Sequence, residues 1–218
     1  MKVLVVMSSA VPGDAVAVCG NAARQGIIDG RSPARLINVN EYQIQRCAIC
    51  NGGWGVCRTE HRCSLDDSFS ELQKMFAEAE GFAWITPTVF GEPSEAMKAL
   101  FDRLRRCEST KSGEKKSVLS GKPVVGIAVA SDGSEDPLDC LAQMRRWSTQ
   151  LGSDLFDAIA LTKRTEEYQL ETVHDALAGM CTYEPPKRQQ LPLSAQRGKR
   201  NTKRRFKRRP PRSKSEQK

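Results

Sequence analysis

Apolar positions along this chain fall into two alternating rhythms. Lys2 to Met7 is a continuous apolar run of strand length, and a polar turn through Ser9 to Gly13 leads into a helix-like stretch of small residues from Asp14 to about Ile28. Ala34 to Val39 is a second strand. Asp66 to Glu80 places Phe69, Leu72, Met75, Phe76 and Ala79 at helical spacing, with Ser64 or Asp66 as the expected N-cap. Phe82 to Thr86 reads as a third strand, Pro87 to Pro93 as a loop, and Ser94 to Cys107 as a helix with Ala96, Met97, Leu100, Phe101 and Leu104 on one face and Ser94 capping its start. The Lys-, Ser- and Gly-rich stretch Glu108 to Gly121 reads as a surface linker. Strands at Pro123 to Ala130 and Leu155 to Thr162 then alternate with helices at about Leu138 to Leu151 and Glu166 to Cys181.

Strands apolar on both faces must be covered on both sides. Five of them alternating with helices predict an α/β three-layer sandwich around a parallel sheet in the order 2-1-3-4-5. Such sheets bind ligands beyond the carboxyl ends of their strands. Here that means the loops Ser8 to Ala15, Pro87 to Pro93 and Ala130 to Asp136. The first precedes a helix N-terminus, where Ser8, Ser9 and the backbone amides suit a phosphate; the same composition also serves as an ordinary strand-to-helix turn. No GxGxxG follows the first strand, which argues against a dinucleotide as the resident cofactor.

Charge divides the chain. Glu184 to Lys218 holds 14 of the 34 basic residues and 2 of the 26 acidic ones, so residues 1–183 are mildly acidic and the basicity lies in the tail. With few apolar residues, 184–218 is expected to be disordered, and it suits non-specific attachment to an anionic partner such as nucleic acid or a solvated extension equally. No span or export signal is read, so the expected compartment is the cytoplasm, where thiols stay reduced. In that setting Cys47, Cys50, Cys57 and Cys63, gathered on a glycine-rich loop with Trp54 and His61, read as metal ligands more readily than as disulfides. A four-iron cluster, zinc on the same ligands or with His61 replacing one, and a metal-free loop all remain open. Trp54 is expected to pack over the loop or at a subunit contact and His61 to face solvent. Cys19, Cys107, Cys140 and Cys181 read as isolated helical thiols, buried and inert.

Thr86-Pro-Thr-Val-Phe-Gly-Glu-Pro-Ser-Glu-Ala-Met-Lys-Ala-Leu-Phe-Asp-Arg103 resembles the SPVYFG…S…MK…DR stretch of NAD(P)H-dependent FMN reductases of the flavodoxin-like fold. Cys47 to Asp67 is similar to the cysteine loop of their iron-sulfur flavoprotein branch, in which an Asp-Asp pair opens the next helix. The resemblance covers about Met1 to Cys181. It implies FMN with its ring along Pro87, Thr88, Val89, Phe90 and Gly91, its far side near Ser131, Asp132 and Gly133, and its phosphate near Ser8, Ser9, Gly13 and Ala15. It also implies NAD(P)H as donor, an iron-sulfur cluster on the four loop cysteines, a small-molecule or protein electron acceptor, and a homodimer or higher oligomer. Two departures stand out: Ser8-Ser9-Ala10-Val11 and Gly13-Asp14-Ala15 lack the family's arginine and later hydroxyl, and six residues separate Cys50 from Cys57 where the branch has two. Other readings are an electron carrier serving a protein partner, or a non-catalytic zinc- or flavin-binding protein.

Overall fold

The computed structural model describes residues 1–111, 116–130 and 136–183. Parallel strands β1 (Val3–Met7), β2 (Ala34–Asn38), β3 (Gly81–Val89), β5 (Pro123–Ala130) and β6 (Asp154–Thr162) lie in the order β2-β1-β3-β5-β6. A short strand β4 (Glu92–Pro93) folds back antiparallel on the end of β3. The expected class and the order of the parallel strands hold, and the sheet carries six strands where five were expected.

The extra strand arises because β3 runs on to Val89 instead of ending at Thr86. Ile85 O accepts from Ser8 N, so odd-numbered positions of this stretch aim their backbone groups at β1. Pro87 aims past the end of β1, where its missing N–H costs no ladder bond.

Helices α1 (Ala15–Asp29) and α5 (Glu166–Thr182) cover one face; α2 (Phe69–Glu78), α3 (Glu95–Glu108) and α4 (Pro137–Leu151) cover the other. Strand alternation divides the core between them. Leu4, Val6, Phe82 and Trp84 face α2, α3 and α4, whereas Val3, Val5, Ala83 and Ile85 face α1 and α5. The first side is built around Phe101, which stacks on Trp147 at 4.4 Å and meets Trp84 edge-on at 4.6 Å. The linker after α3 does not simply run over the surface. Leu119 is fully buried, and the buried Glu108 carboxylate accepts from Val118 N at 2.8 Å and pairs with Lys111 at 2.7 Å.

The α1–α5 crossing is close because of Gly26, where an added Cβ would lie 2.1 Å from the carbonyl oxygen of His174. Backbone cannot yield as a side-chain tip can. Gly26→Ala is expected to cost about 1–3 kcal/mol, read as a lower unfolding midpoint in urea.

Beside this contact His174 bonds Asp175 and Asp29, each at 2.9 Å. Its pKa is raised, chiefly by Asp175 and then by Asp29. Because the folded pKa lies above the unfolded one, the stabilisation is complete below pH 6.5 and is lost as pH rises through the folded value. Thermal midpoints should therefore fall between slightly acid and alkaline buffer, and His174→Gln should remove that part of the slope.

Candidate functional site

The carboxyl ends of β1 and β3 are joined by hydroxyls. Ser94, which caps α3, donates from Oγ to Ser8 Oγ at 2.8 Å; Ser8 Oγ donates to Thr86 Oγ1 at 3.1 Å, which in turn accepts from Ser94 N at 3.0 Å. Ser8 and Ser9, both expected near a phosphate, are 1% and 3% exposed, and their hydroxyls are engaged within the protein.

Asp14 fills the turn itself. Its Oδ1 accepts from Ala17 N at 2.7 Å and Ser9 Oγ at 2.9 Å, and its Oδ2 from Ala10 N at 3.0 Å and Val11 N at 3.3 Å. Burial acts to raise the Asp14 pKa, but these hydrogen bonds outweigh it and hold the carboxyl below its usual range. Gly13 precedes it at φ +82°, and Ala15 opens α1.

In place of the expected loop after Thr86 there is a tight hairpin. Phe90 and Gly91 both have positive φ, the pattern of primed two-residue turns that match the twist of the flanking strands. A phenylalanine in that region carries roughly 1 kcal/mol of strain. Its ring is 94% exposed and Val89 43% exposed, so the turn holds two apolar side chains out at the sheet's carboxyl edge. Thr88 Oγ1 is buried there with no hydrogen-bond partner among the described residues. An exposed apolar edge with a buried hydroxyl lacking a partner suits a planar ring that carries polar atoms along one side. Ser131, Asp132 and Gly133 lie outside the described residues.

The cysteine stretch stands against the C-terminal half of α3. Asp67 accepts from Arg103 Nη1 at 2.5 Å and Nη2 at 2.9 Å, from Gln45 N at 2.9 Å and from Phe69 N at 3.1 Å. The side chains are 1% and 4% exposed, and the guanidinium lies 4.4 Å over the Phe69 ring. Asp67 therefore serves the start of α2, a role expected of Ser64 or Asp66. Arg106 donates to Gly53 O at 2.5 Å and covers Trp54 at 5.1 Å, and Thr110 Oγ1 donates to Cys57 O at 3.1 Å. Trp54, 41% exposed, thus packs against Arg106 of α3. His61 is half-buried, 3.2 Å from Thr110 Oγ1, and does not simply face solvent.

Cys47, Cys50, Cys57 and Cys63 line one narrow cavity of about 20 Å³. Cys107 lines it too, which corrects its reading as an isolated thiol, and so do Arg103 and Arg106. Burial, then Cys63 and Cys57, push the Cys107 thiol up to about 12. Cys19, buried in α1, also rises to about 12. Among the described residues no three His, Cys, Asp or Glu side chains converge on one point. Soft thiols around one void, with two guanidinium groups beside them, fit an anionic thiolate-bound metal group by donor chemistry; the space as it stands is smaller than a four-iron core, so the glycine-rich loop must spread to admit one.

The model of one family, NADPH-dependent FMN reductase, matches residues 1–153. The chain belongs to the NADPH-dependent FMN reductase family. Two iron-sulfur flavoproteins are similar to it in sequence. The one from Methanosarcina thermophila is 30% identical over 101 residues, covering 45% of this chain and 46% of the relative. The one from Archaeoglobus fulgidus is 29% identical over 102 residues, 47% of each. The chain thus spans about half the length of the curated relatives it matches. Among solved structures, an NAD(P)H:quinone oxidoreductase from Methanothermobacter marburgensis superposes with a TM-score of 0.63 at 12% identity, over 85% of this chain and 99% of that one, a likeness of fold.

For a family member, the distribution of open space is unexpected. A depression of about 800 Å³ among the described residues follows α3 between Arg46, Trp54, Lys98 and Arg105, away from the carboxyl edge. One of the three edge loops, 131–135, lies outside the described residues. Sequence reading missed Arg103, Arg106 and Thr110 as the fasteners of the cysteine loop. The signal was present for one of them: Arg103 lies three residues after Leu100, on the inward stripe of α3 that Leu104 and Cys107 continue.

Proposed function

We propose that this chain is an NAD(P)H-dependent flavin oxidoreductase whose cysteine loop carries an iron-sulfur cluster that exchanges electrons with the flavin. The observation that carries the reading is α3. It begins in the β3 hairpin, where Ser94 is bonded to Ser8, and its far half, through Arg103, Arg106 and Cys107, forms a wall of the cysteine cavity. One helix thus spans both candidate centres.

Pro87, Thr88, Val89, Phe90 and Gly91 would lie along the isoalloxazine ring, with Ser131, Asp132 and Gly133 on its other side and Ser8, Ser9, Gly13 and Ala15 toward the ribityl end. Bound there, the flavin supplies the hydride-accepting chemistry, and the protein has to bind, orient and shield it. Cys47, Cys50, Cys57 and Cys63 would hold a four-iron cluster, with Arg103 and Arg106 offsetting its negative charge. A single zinc is the second reading, favoured by the 20 Å³ cavity and opposed by the lack of a convergent ligand trio among the described residues. The groove along α3, with Trp54 and Arg106 beside the loop, offers a protein acceptor or a second copy a surface next to the cluster. No helix among the described residues is long and apolar enough to cross a membrane, and a reducing compartment such as the cytoplasm would suit the thiols. The basic tail, 184–218, lies outside the described residues.

An anaerobic absorption spectrum of the full chain, with flavin, iron and zinc quantified on the same sample, tests this. Flavin bands over broad iron-sulfur absorption, both bleached by NADPH, are expected. A chain that neither retains added flavin nor lets NADPH reduce it would overturn the oxidoreductase reading, and stoichiometric zinc without iron would overturn the cluster.

A further inference from the structure

We propose that Asp14 is a resident anion in the turn after β1, and that this chain accordingly takes a flavin without its phosphate, riboflavin, about as well as FMN. The inference rests on the flavin reading above and concerns which flavin the site selects.

A strand-to-helix turn recognises phosphate through backbone N–H groups at its bend and in the first turn of its helix. In this chain Asp14 takes three of those donors, at the bend and in the first helical turn. Ala10 N and Val11 N bond one Asp14 oxygen, Ala17 N and Ser9 Oγ the other, all within 3.3 Å. Ser8 Oγ is held between Ser94 and Thr86 and is shielded from solvent. The Asn38 and Asn40 side-chain amides both donate to Ser9 O, at 3.1 and 2.7 Å, which fixes the turn from behind.

Charge acts in the same direction. From Ser8 to Ala23 the chain has no Lys or Arg, so a phosphate would meet an ionised carboxylate with no cation from its own turn. A phosphate gripped by even two charge-assisted hydrogen bonds gains about 100-fold or more in affinity. With three of these backbone donors occupied and a like charge in place, that gain is lost, while the apolar β3 tip and the Thr88 hydroxyl, without a hydrogen-bond partner among the described residues, would face the ring end, which riboflavin and FMN share.

The test compares the full-length chain with Asp14→Ser, which removes the charge and keeps a side chain able to cap α1; Asp14→Asn is the isosteric second variant. Riboflavin and FMN are titrated by quenching of flavin fluorescence, and inorganic phosphate is titrated separately by thermal shift at constant ionic strength. The wild-type chain is expected to bind the two flavins within about tenfold of each other and to melt independently of phosphate, whereas the variants gain at least about tenfold for FMN alone and are stabilised by phosphate. Wild-type preference for FMN beyond tenfold, or variants with unchanged FMN affinity, would overturn the selection by Asp14 and leave the flavin reading intact. Binding of neither flavin to any of the proteins would overturn the flavin reading itself. The phosphate titration then decides the resident anion: stabilisation of the variants alone supports it, and stabilisation of none overturns it.

Discussion

Replacing Asp67 by alanine is expected to destabilise the protein by about 3–5 kcal/mol, as much as truncating a fully buried aliphatic side chain. The reason is what remains behind. Arg103, 1% exposed, would keep its charge against Phe69 with Gln45 O as its remaining oxygen acceptor and the Cys63 sulfur beside it, and its Nε has no hydrogen-bond partner among the described residues even in the intact protein. Removing both charges should cost much less, so Asp67→Ala with Arg103→Met is expected to recover part of the loss in urea unfolding. Arg103→Lys should not mimic the wild type, because an ammonium cannot reproduce the two-pronged contact. Acid provides a second readout. Burial acts to raise the Asp67 pKa, but the bonds from Arg103, Gln45 N and Phe69 N outweigh it and hold the carboxyl low. Its contribution is therefore complete above pH 3.8 and is lost as pH falls through the folded value, a slope that Asp67→Ala should lack.

The second large effect concerns the loop that this ion pair fastens. If the loop holds the proposed cluster, Cys63→Ser is expected to reduce iron from about four per chain to less than one and to remove the broad visible absorption, because a hard hydroxyl replaces a soft thiolate donor. Cys63 also hydrogen-bonds the Arg103 side chain, so the substitution reaches the base of the loop. Flavin binding should persist, since the carboxyl edge is built from β1, β3 and Ser94. Cys19→Ser, on the opposite side of the sheet, serves as the control that leaves iron unchanged. Loss of iron from Cys107→Ser, with iron retained in Cys63→Ser, would assign a different set of four thiols from the five around the cavity.

Strand order was legible because it rests on a coarse signal: apolar runs that tolerate no wet face, alternating with helical periods. The β3 hairpin was not. A two-residue strand has no periodicity, and the turn that creates it depends on Phe90 adopting a backbone conformation that few phenylalanines occupy. Asp14 was readable as a residue unfriendly to phosphate, yet not as one that satisfies four donors, since that needs the fold of the turn. The cysteine loop was visible as a donor set, while its anchors were hidden by distance, with Asp67 and Arg103 separated by 36 residues. Arginine on an inward stripe contradicts the hydrophobic pattern, and only a buried carboxylate resolves the contradiction.

α3 also acts as a ruler. From its cap at Ser94 to Cys107 it advances about 20 Å, and each residue turns the helix by about 100°. Substitutions along it can be absorbed one at a time, but adding or deleting a single residue between Ser94 and Arg103 would swing Arg103, Arg106 and Cys107 together off the cysteine cavity. The number of residues in this helix is therefore constrained separately from their identity, and length variation in descendants of this chain should collect outside it.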